Sequence, residues 1–401
     1  LNALRSLPSN SPERLLTEGE IHLHWAFSSM RFGEYLSAAS GINKAFSSLE
    51  KNIKKHPDYL PTYKSMGLLH TLIGTVPDNY KWATKLMGIE GTIEQGISEM
   101  EMVLTNSVGK PEFANLKKET LFLLTFLNIN LLNSKSTLAR FKPEIEAENG
   151  PLMDFALASL LKEQGLARNA IELLDNKQTS RKRFPYLNYL LGEMKLARMD
   201  SNADVPFIEY INTFRGNSYK KSAQQKLAWF ELLVKDSKPG YWKEINRVDA
   251  FPSTILDEDK AAQTEYEKET IPNSVLLRAR LQFDGGFYKT ALNTLIKSQP
   301  SDLSSDDEKL EFTYRLARIH HLLGNTNDAI AYYELTMKTG KESKRYFAAN
   351  AALQLGLLYE TISKKFKALD AFEKCSTFNN YEYKNSINQK AKAGILRVSR
   401  P

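Results

Sequence analysis

LEFTYRLARIHHLLGNTNDAIAYYELTM, from Leu310 to Met337, reads as two amphipathic helices joined by a tight turn. Phe312, Leu316, Ile319 and Leu323 recur at helical spacing along one face, and Ala329, Ile330, Tyr333 and Met337 do the same after Gly-Asn-Thr-Asn. Gly324 suits the left-handed conformation that ends a helix, and Thr326 or Asn327 is placed to cap the next one. The segment is therefore a helical hairpin.

The hairpin recurs. Small residues at Ala291, Ala329 and Ala368 are spaced by 329 − 291 = 38 and 368 − 329 = 39 residues. Twelve positions before each stands Ala279, Ala317 or Gly356, and four positions after each stands Leu295, Tyr333 or Phe372. Small side chains let two helices approach, while the bulky one fills the space between hairpins. The spacing exceeds a tetratricopeptide period of about 34 residues by an amount that inter-repeat turns can absorb. The pattern resembles the tetratricopeptide repeat, so the expected fold is all-α, with hairpin repeats stacked into a right-handed α-solenoid. Weaker copies lie upstream, one at Ala158, Gly165, Ala170 and Leu174, another at Gly192 with Phe207 and Tyr210. The repeat array is expected over 146–401, with an irregular insertion at 237–274 and a polar-faced capping helix from about Asn385 to Val398. Residues 1–145 read as divergent helical hairpins, opened by Ser11-Pro12-Glu13 and broken near Gly33, His56-Pro57, Pro77 and Gly88–Gly91.

A second resemblance rests on GLLHTLIGTVPDNYKWATKLMGIEGTIEQGISEM, Gly67 to Met100, through Gly67, Pro77, Leu86, Gly88, Gly91 and Gly96 with the upstream helix Ala38 to Glu50. DEDKAA (Asp257 to Ala262) and LLRARLQFDGGFYKTAL (Leu276 to Leu292) extend it. The chain is similar to the family of the fungal inclusion-body clearance protein, its animal tetratricopeptide-repeat relatives and bacterial outer-membrane proteins of the same architecture. For eukaryotic members the resemblance implies interaction roles at membranes or lipid droplets without a catalytic centre. Its motifs are structural glycines and packing residues.

Composition fits a folded chain of this kind. Among 401 residues, 42% are hydrophobic and 25% charged, and 54 basic against 47 acidic residues give +7. The basic residues are scattered; short clusters such as Lys54-Lys55 and Arg181-Lys182-Arg183 sit where helices end, and nucleic acid is not an expected partner. One cysteine, Cys375, excludes an intrachain disulfide and falls on an apolar stripe, hence in the core. The richest apolar run, Leu121 to Leu132, falls short of the roughly 20 residues of a spanning helix and is broken by Asn128 and Asn130, which leaves peripheral membrane association open. The first residue is leucine, and a removed signal peptide would place the chain outside the cytoplasm, in a periplasm, with the cytoplasm as alternative.

No catalytic pattern emerges. His22, His24, His56, His70, His320 and His321 form no ligand spacing, and GxxxxGK[ST], GxSxG and strand-linked GxGxxG motifs are missing. Neither an enzyme, a metal site nor a cofactor is expected. Acidic runs such as Asp257-Glu258-Asp259 precede helices and suit their positive ends. Trp25, Tyr80, Trp82 and Phe126 read as core.

Repeat register supplies the candidates. The first helix of each hairpin lines the inner surface, which places Arg280 and Arg318 at equivalent positions, with Asn273, Phe283, Glu311, Tyr314, His321 and Asn350 nearby and Tyr186 and Tyr189 continuing upstream. Two guanidiniums on one wall suit a carboxylate or another anion. Against this stands pairing of both arginines with carboxylates such as Glu311. The expected function is a non-catalytic scaffold binding a peptide or protein on the concave face around these residues. The alternative is a carrier or sensor of a small amphipathic ligand where the N-terminal helices meet the repeats.

Overall fold

The computed structural model describes residues 4, 6–76, 88–132, 136–298, 303–379 and 381–399. Among them every regular element is helical. The chain divides into two compact units, Leu1–Leu160 and Leu161–Pro401.

The first unit contains α1 (Pro12–Arg31), α2 (Tyr35–Lys55), α3 (Pro61–Gly74), α4 (Ile93–Ser107), α5 (Ala114–Leu127), α6 (Ser136–Ala147) and most of α7 (Pro151–Glu163). The Ser11 hydroxyl accepts from the Arg14 amide at 3.3 Å, and Pro12 occupies the first helical turn, as the sequence predicts. α1 pairs with α2 and α3 with α4. Leu23, Leu49, Met66, Leu69 and Ile73 close the core of the first three helices. The motif glycines Gly67 and Gly96 set the spacing of α3 and α4: a Cβ on Gly96 would lie 2.2 Å from the Gly67 carbonyl oxygen. Pro77, Tyr80, Trp82 and Leu86 lie outside the described residues. Trp25 departs from expectation, being 68% exposed. The buried stripe of α1 runs through Leu15, Gly19, Leu23 and Ala26, and a residue two positions from Leu23 points well away from it. Phe126 is half-buried, stacked on Phe155 at 5.2 Å.

The second unit is a series of hairpins. After the last turn of α7 come α8 (Ala167–Asp175), α9 (Gln178–Arg183), α10 (Tyr186–Arg198), α11 (Asp204–Thr213), α12 (Lys220–Leu233), α13 (Lys238–Ile245) and α14 (Asp257–Glu267). α15 (Ser274–Asp284), α16 (Tyr288–Ile296), α17 (Asp306–Leu323), α18 (Thr326–Thr339), α19 (Phe347–Thr361), α20 (Lys365–Cys375) and α21 (Lys384–Val398) follow. Pairs form in order, α10 with α11, α12 with α13, α15 with α16, α17 with α18 and α19 with α20. Ala279, Ala291 and Leu295, Ala317, Ala329 and Tyr333, and Ala368 and Phe372 are all buried, as the repeat register requires. At Gly356 a Cβ would stand 2.5 Å from the Phe372 ring, so the small-to-large complementarity of the repeat is a direct contact.

Local signals act mostly as read. The Ser305 hydroxyl accepts from the Glu308 amide at 3.2 Å, and the Glu308 carboxylate accepts from the Ser304 amide at 2.7 Å, which joins the start of α17 to the preceding turn. Gly324 ends α17 with φ of 79°. The cap of α18 differs: the helix begins at Thr326, and neither Thr326 nor Asn327 caps it from its flank. Asn325 stands at the cap without a side-chain bond to α18, its amide lying 3.1 Å from His320 Nδ1 instead. Asp259 also has another role than its own helix end. It is 1% exposed and accepts from the Tyr219 amide at 2.8 Å, the Ser222 amide at 3.0 Å and the Thr254 hydroxyl at 2.7 Å, so it caps α12 from α14.

Candidate functional site

The inner helices α10, α12, α15 and α17 and the last turn of α7 surround a chamber within the second unit. Its larger cavity, about 400 Å³, is walled by Met194, Leu196, Leu281 and Leu322, with Lys162, Glu193 and Lys226 among its polar groups. A smaller one, about 240 Å³, is lined by Arg280, Phe283, Asp284, Tyr314, Arg315, Arg318 and Tyr346. Phe283, Asp284 and Arg318 belong to both.

Two glycine turns bound the larger cavity. Gly165, between α7 and α8, and Gly286, between α15 and α16, meet backbone to backbone: a Cβ on Gly286 would fall 1.6 Å from the Gly165 carbonyl oxygen, and the Gly286 φ of +82° already excludes most side chains. The Ala167 amide donates to the Gly285 carbonyl at 3.3 Å across the same contact. Hairpins distant in sequence therefore touch, and the inner wall curls into a chamber.

At its floor, Lys162 donates to Glu193 at 2.8 Å, and Lys226 donates to the Ser222 hydroxyl at 2.7 Å with Glu193 3.8 Å away. Burial opposes ionisation of Glu193, but Lys162 and Lys226 overcome it and hold the carboxyl below its ordinary value. Burial pulls the Lys226 ammonium below the ordinary lysine value, with Glu193 acting against that shift. Lys226 also stands 5.2 Å from the Tyr189 ring centroid and 5.3 Å from that of Trp229.

The arginines behave differently. Arg280 lies over Trp229 at 5.0 Å and Arg318 over Phe283 at 5.3 Å. Glu311 pairs with Arg315, its Oε1 accepting from Arg315 Nε at 2.7 Å. Among the described residues no carboxylate lies within 4.0 Å of Arg280 or Arg318; Asp284 is the acid whose charge acts on both from farther away, and Arg318 also bonds the Tyr314 side chain. Asp284, one turn beyond Arg280, has a side chain open to the chamber and no hydrogen-bond partner among the described residues. Burial against the surrounding protein pushes its carboxyl up, against the pull of Arg280, Arg315, Lys162 and Arg318.

Of the residues named from sequence, Arg280, Phe283, Tyr314 and Arg318 share the smaller cavity. Asn350 touches its edge by donating to the Tyr314 hydroxyl at 2.9 Å. Tyr314 itself is 5% exposed, its ring packed on Phe347. His321 turns onto the packing residue Tyr333, with Nδ1 3.0 Å from the hydroxyl, and Asn273 caps α15 by accepting from the Val275 and Leu276 amides. Tyr189 is buried against Ser222, with Tyr186 stacked on it at 5.4 Å, so this pair forms core instead of continuing the wall. Sequence reading missed Asp284, Arg315 and Tyr346. Arg315 and Asp284 carried an available signal, since each stands one helical turn from a residue already singled out.

Among the described residues no three or more His, Cys, Asp or Glu side chains converge as a metal site, and no helix is long and apolar enough to cross a membrane. A scan of protein-family models and a search of curated proteins each return no match. Among solved structures, the TPR domain of P58(IPK) aligns over 96% of this chain and 99% of its own, at 13% identity and a TM-score of 0.26. The helical-repeat assignment rests on the chain's own hairpin pairing.

Proposed function

We propose that this chain is a non-catalytic interaction protein that holds a peptide segment of a partner against the inner wall formed by α15, α17 and α19. One observation carries the reading: Arg280 and Arg318, 318 − 280 = 38 residues apart and so in repeat register, each lie on an aromatic ring with no carboxylate within 4.0 Å among the described residues. A ring under the flat face of a guanidinium fixes its plane and leaves in-plane N–H donors for a ligand, beyond the one with which Arg318 bonds Tyr314. Tyr314 and Asn350 supply polar groups beside them. The small-ligand alternative draws its support from the 400 Å³ cavity, whose lining lies wholly within Leu161–Pro401 and whose size suits a small-molecule site.

Affinity capture from native extract with the wild-type chain and the Arg280→Ala, Arg318→Ala double variant tests the reading. The expected result is a protein partner recovered by the wild type, weakened by salt and lost from the double variant. Partners bound equally by both chains would move the interaction elsewhere. Native mass spectrometry of gently purified chain tests the alternative, for which a retained small molecule is the expected result.

A further inference from the structure

The turn between α19 and α20 shares its backbone with the two hairpin turns before it but not its side chains. The Phe287, Asn325 and Lys364 amides each donate to the carbonyl five residues earlier, at 2.8, 2.9 and 2.8 Å. Two positions on from these stand Lys289, Asn327 and Phe366, spaced by 327 − 289 = 38 and 366 − 327 = 39 residues. All three are exposed, and Phe366, at 91%, is more so than any other large apolar side chain among the described residues. The buried stripe of α20 runs through Ala368, Ala371, Phe372 and Cys375, so packing asks nothing of Phe366. The charges depart as well. α17 and α18 open on acids, Asp306 to Glu308 and Asp328, which suit the positive end of a helix. α20 opens on Lys364, Lys365 and Lys367 with no acid in its first turn, against its own dipole.

Nearby carboxylates leave those lysines uncompensated. Glu360 accepts from Arg397 at 2.8 Å and Asp370 from Lys374 at 2.7 Å, and among the described residues no carboxylate lies within 4.0 Å of Lys364, Lys365 or Lys367. Lys367 stands 5.6 Å from the Tyr359 ring centroid, in a groove it shares with Glu334. The Arg397 pair also brings Leu396, 58% exposed, to this end of the hairpin. Local features that cost stability and serve no packing mark a surface kept for contact. We propose that this turn docks on an anionic membrane surface, Phe366 entering the interface while Lys364, Lys365 and Lys367 lie against acidic headgroups. Phe366 is the projecting group, with lysines before and after it, so its partner must offer an apolar layer behind a broad negative face. A bilayer with anionic lipid has that order of polarity. An acidic peptide supplies the charge but no layer to receive the ring. Each lysine at such a surface is expected to raise partitioning about fivefold, which with one ring gives reversible, salt-sensitive binding.

The test is flotation of the full chain with phosphatidylcholine vesicles, with and without phosphatidylserine, at low and high salt. The expected result is binding to the phosphatidylserine vesicles alone, released by salt. Phe366→Asn, which installs the residue of the preceding hairpin, should weaken that binding about tenfold. Lys364→Glu combined with Lys365→Glu should abolish it while the urea midpoint stays level or rises, because acids suit the start of a helix, so the loss cannot be put down to misfolding. Absence of flotation at low salt, equal binding to neutral vesicles, or equal binding by the wild type and these variants would overturn the proposal. Self-association lost in Phe366→Asn, or an acidic protein retained only by the lysines, would overturn it too if vesicles are not bound, and would assign the turn to a second copy or to a protein partner.

Discussion

Cys375 shows how a single side chain answers to its surroundings. Its sulfur is fully buried, 3.6 Å from the Ala349 carbonyl and 3.8 Å from that of Ala371, and burial pushes its thiol up to about 12. The thiolate is the reactive form, so the native chain should resist iodoacetamide at pH 8 and label fully in denaturant, as read by intact mass. Rapid labelling of the folded chain would contradict that burial. Gly356 presents the opposite demand, for absence of a side chain. Its missing Cβ is the space the Phe372 ring occupies, and Gly356→Ala is expected to destabilise by about 1–3 kcal/mol, measured by urea unfolding. Phe372→Leu in the same chain should recover part of that loss, because a smaller side chain relieves the contact.

Between helices, the group around Glu193 ties the last turn of α7, α10 and α12 together through Lys162 and Lys226. Glu193→Gln leaves both ammoniums without their counter-charge. Lys162 is 34% exposed, so water softens the loss to about 1–2 kcal/mol at pH 7. The sign of its pH dependence follows from the shift. A carboxyl held below its unfolded value stabilises the fold above that value, roughly 4.3, and the contribution disappears as pH falls through the depressed folded value. Urea midpoints of wild type and Glu193→Gln should therefore differ at pH 7 and converge in the acid range; a gap that persists at pH 3 would mean the two differ for a non-ionic reason. Asp259 makes a comparable tie between α14 and α12, but through backbone amides, which binds an acidic helix start to the N-terminus of a neighbouring helix.

Within the second unit successive helices bury apolar faces against one another, and α21 packs on α19 and α20: Ile387, Ala391, Gly394 and Val398 lie toward Phe372 and its neighbours, and much of its remaining surface is polar. Truncation before Lys384 uncovers that apolar face, so the shortened chain should lose several degrees of Tm and aggregate with rising concentration, as light scattering would show. Unchanged stability would mean that α21 adds little to the packing of α19 and α20. The hairpins themselves, their small-to-large register from Ala279 to Phe372, the buried Cys375 and the equivalence of Arg280 with Arg318 were legible in the linear chain, because helical periodicity and repeat spacing are local properties that each residue's neighbours determine. Trp25 and Tyr189 were misplaced, since exposure depends on which stripe finds a partner. The chamber, the seating of its two arginines on aromatic rings and the entry of Asp284 and Lys226 into it were decided by tertiary structure alone: the Gly165 and Gly286 turns come together from distant hairpins, and whether Glu311 reaches Arg315 or Arg318 is settled by side-chain packing that no spacing rule encodes.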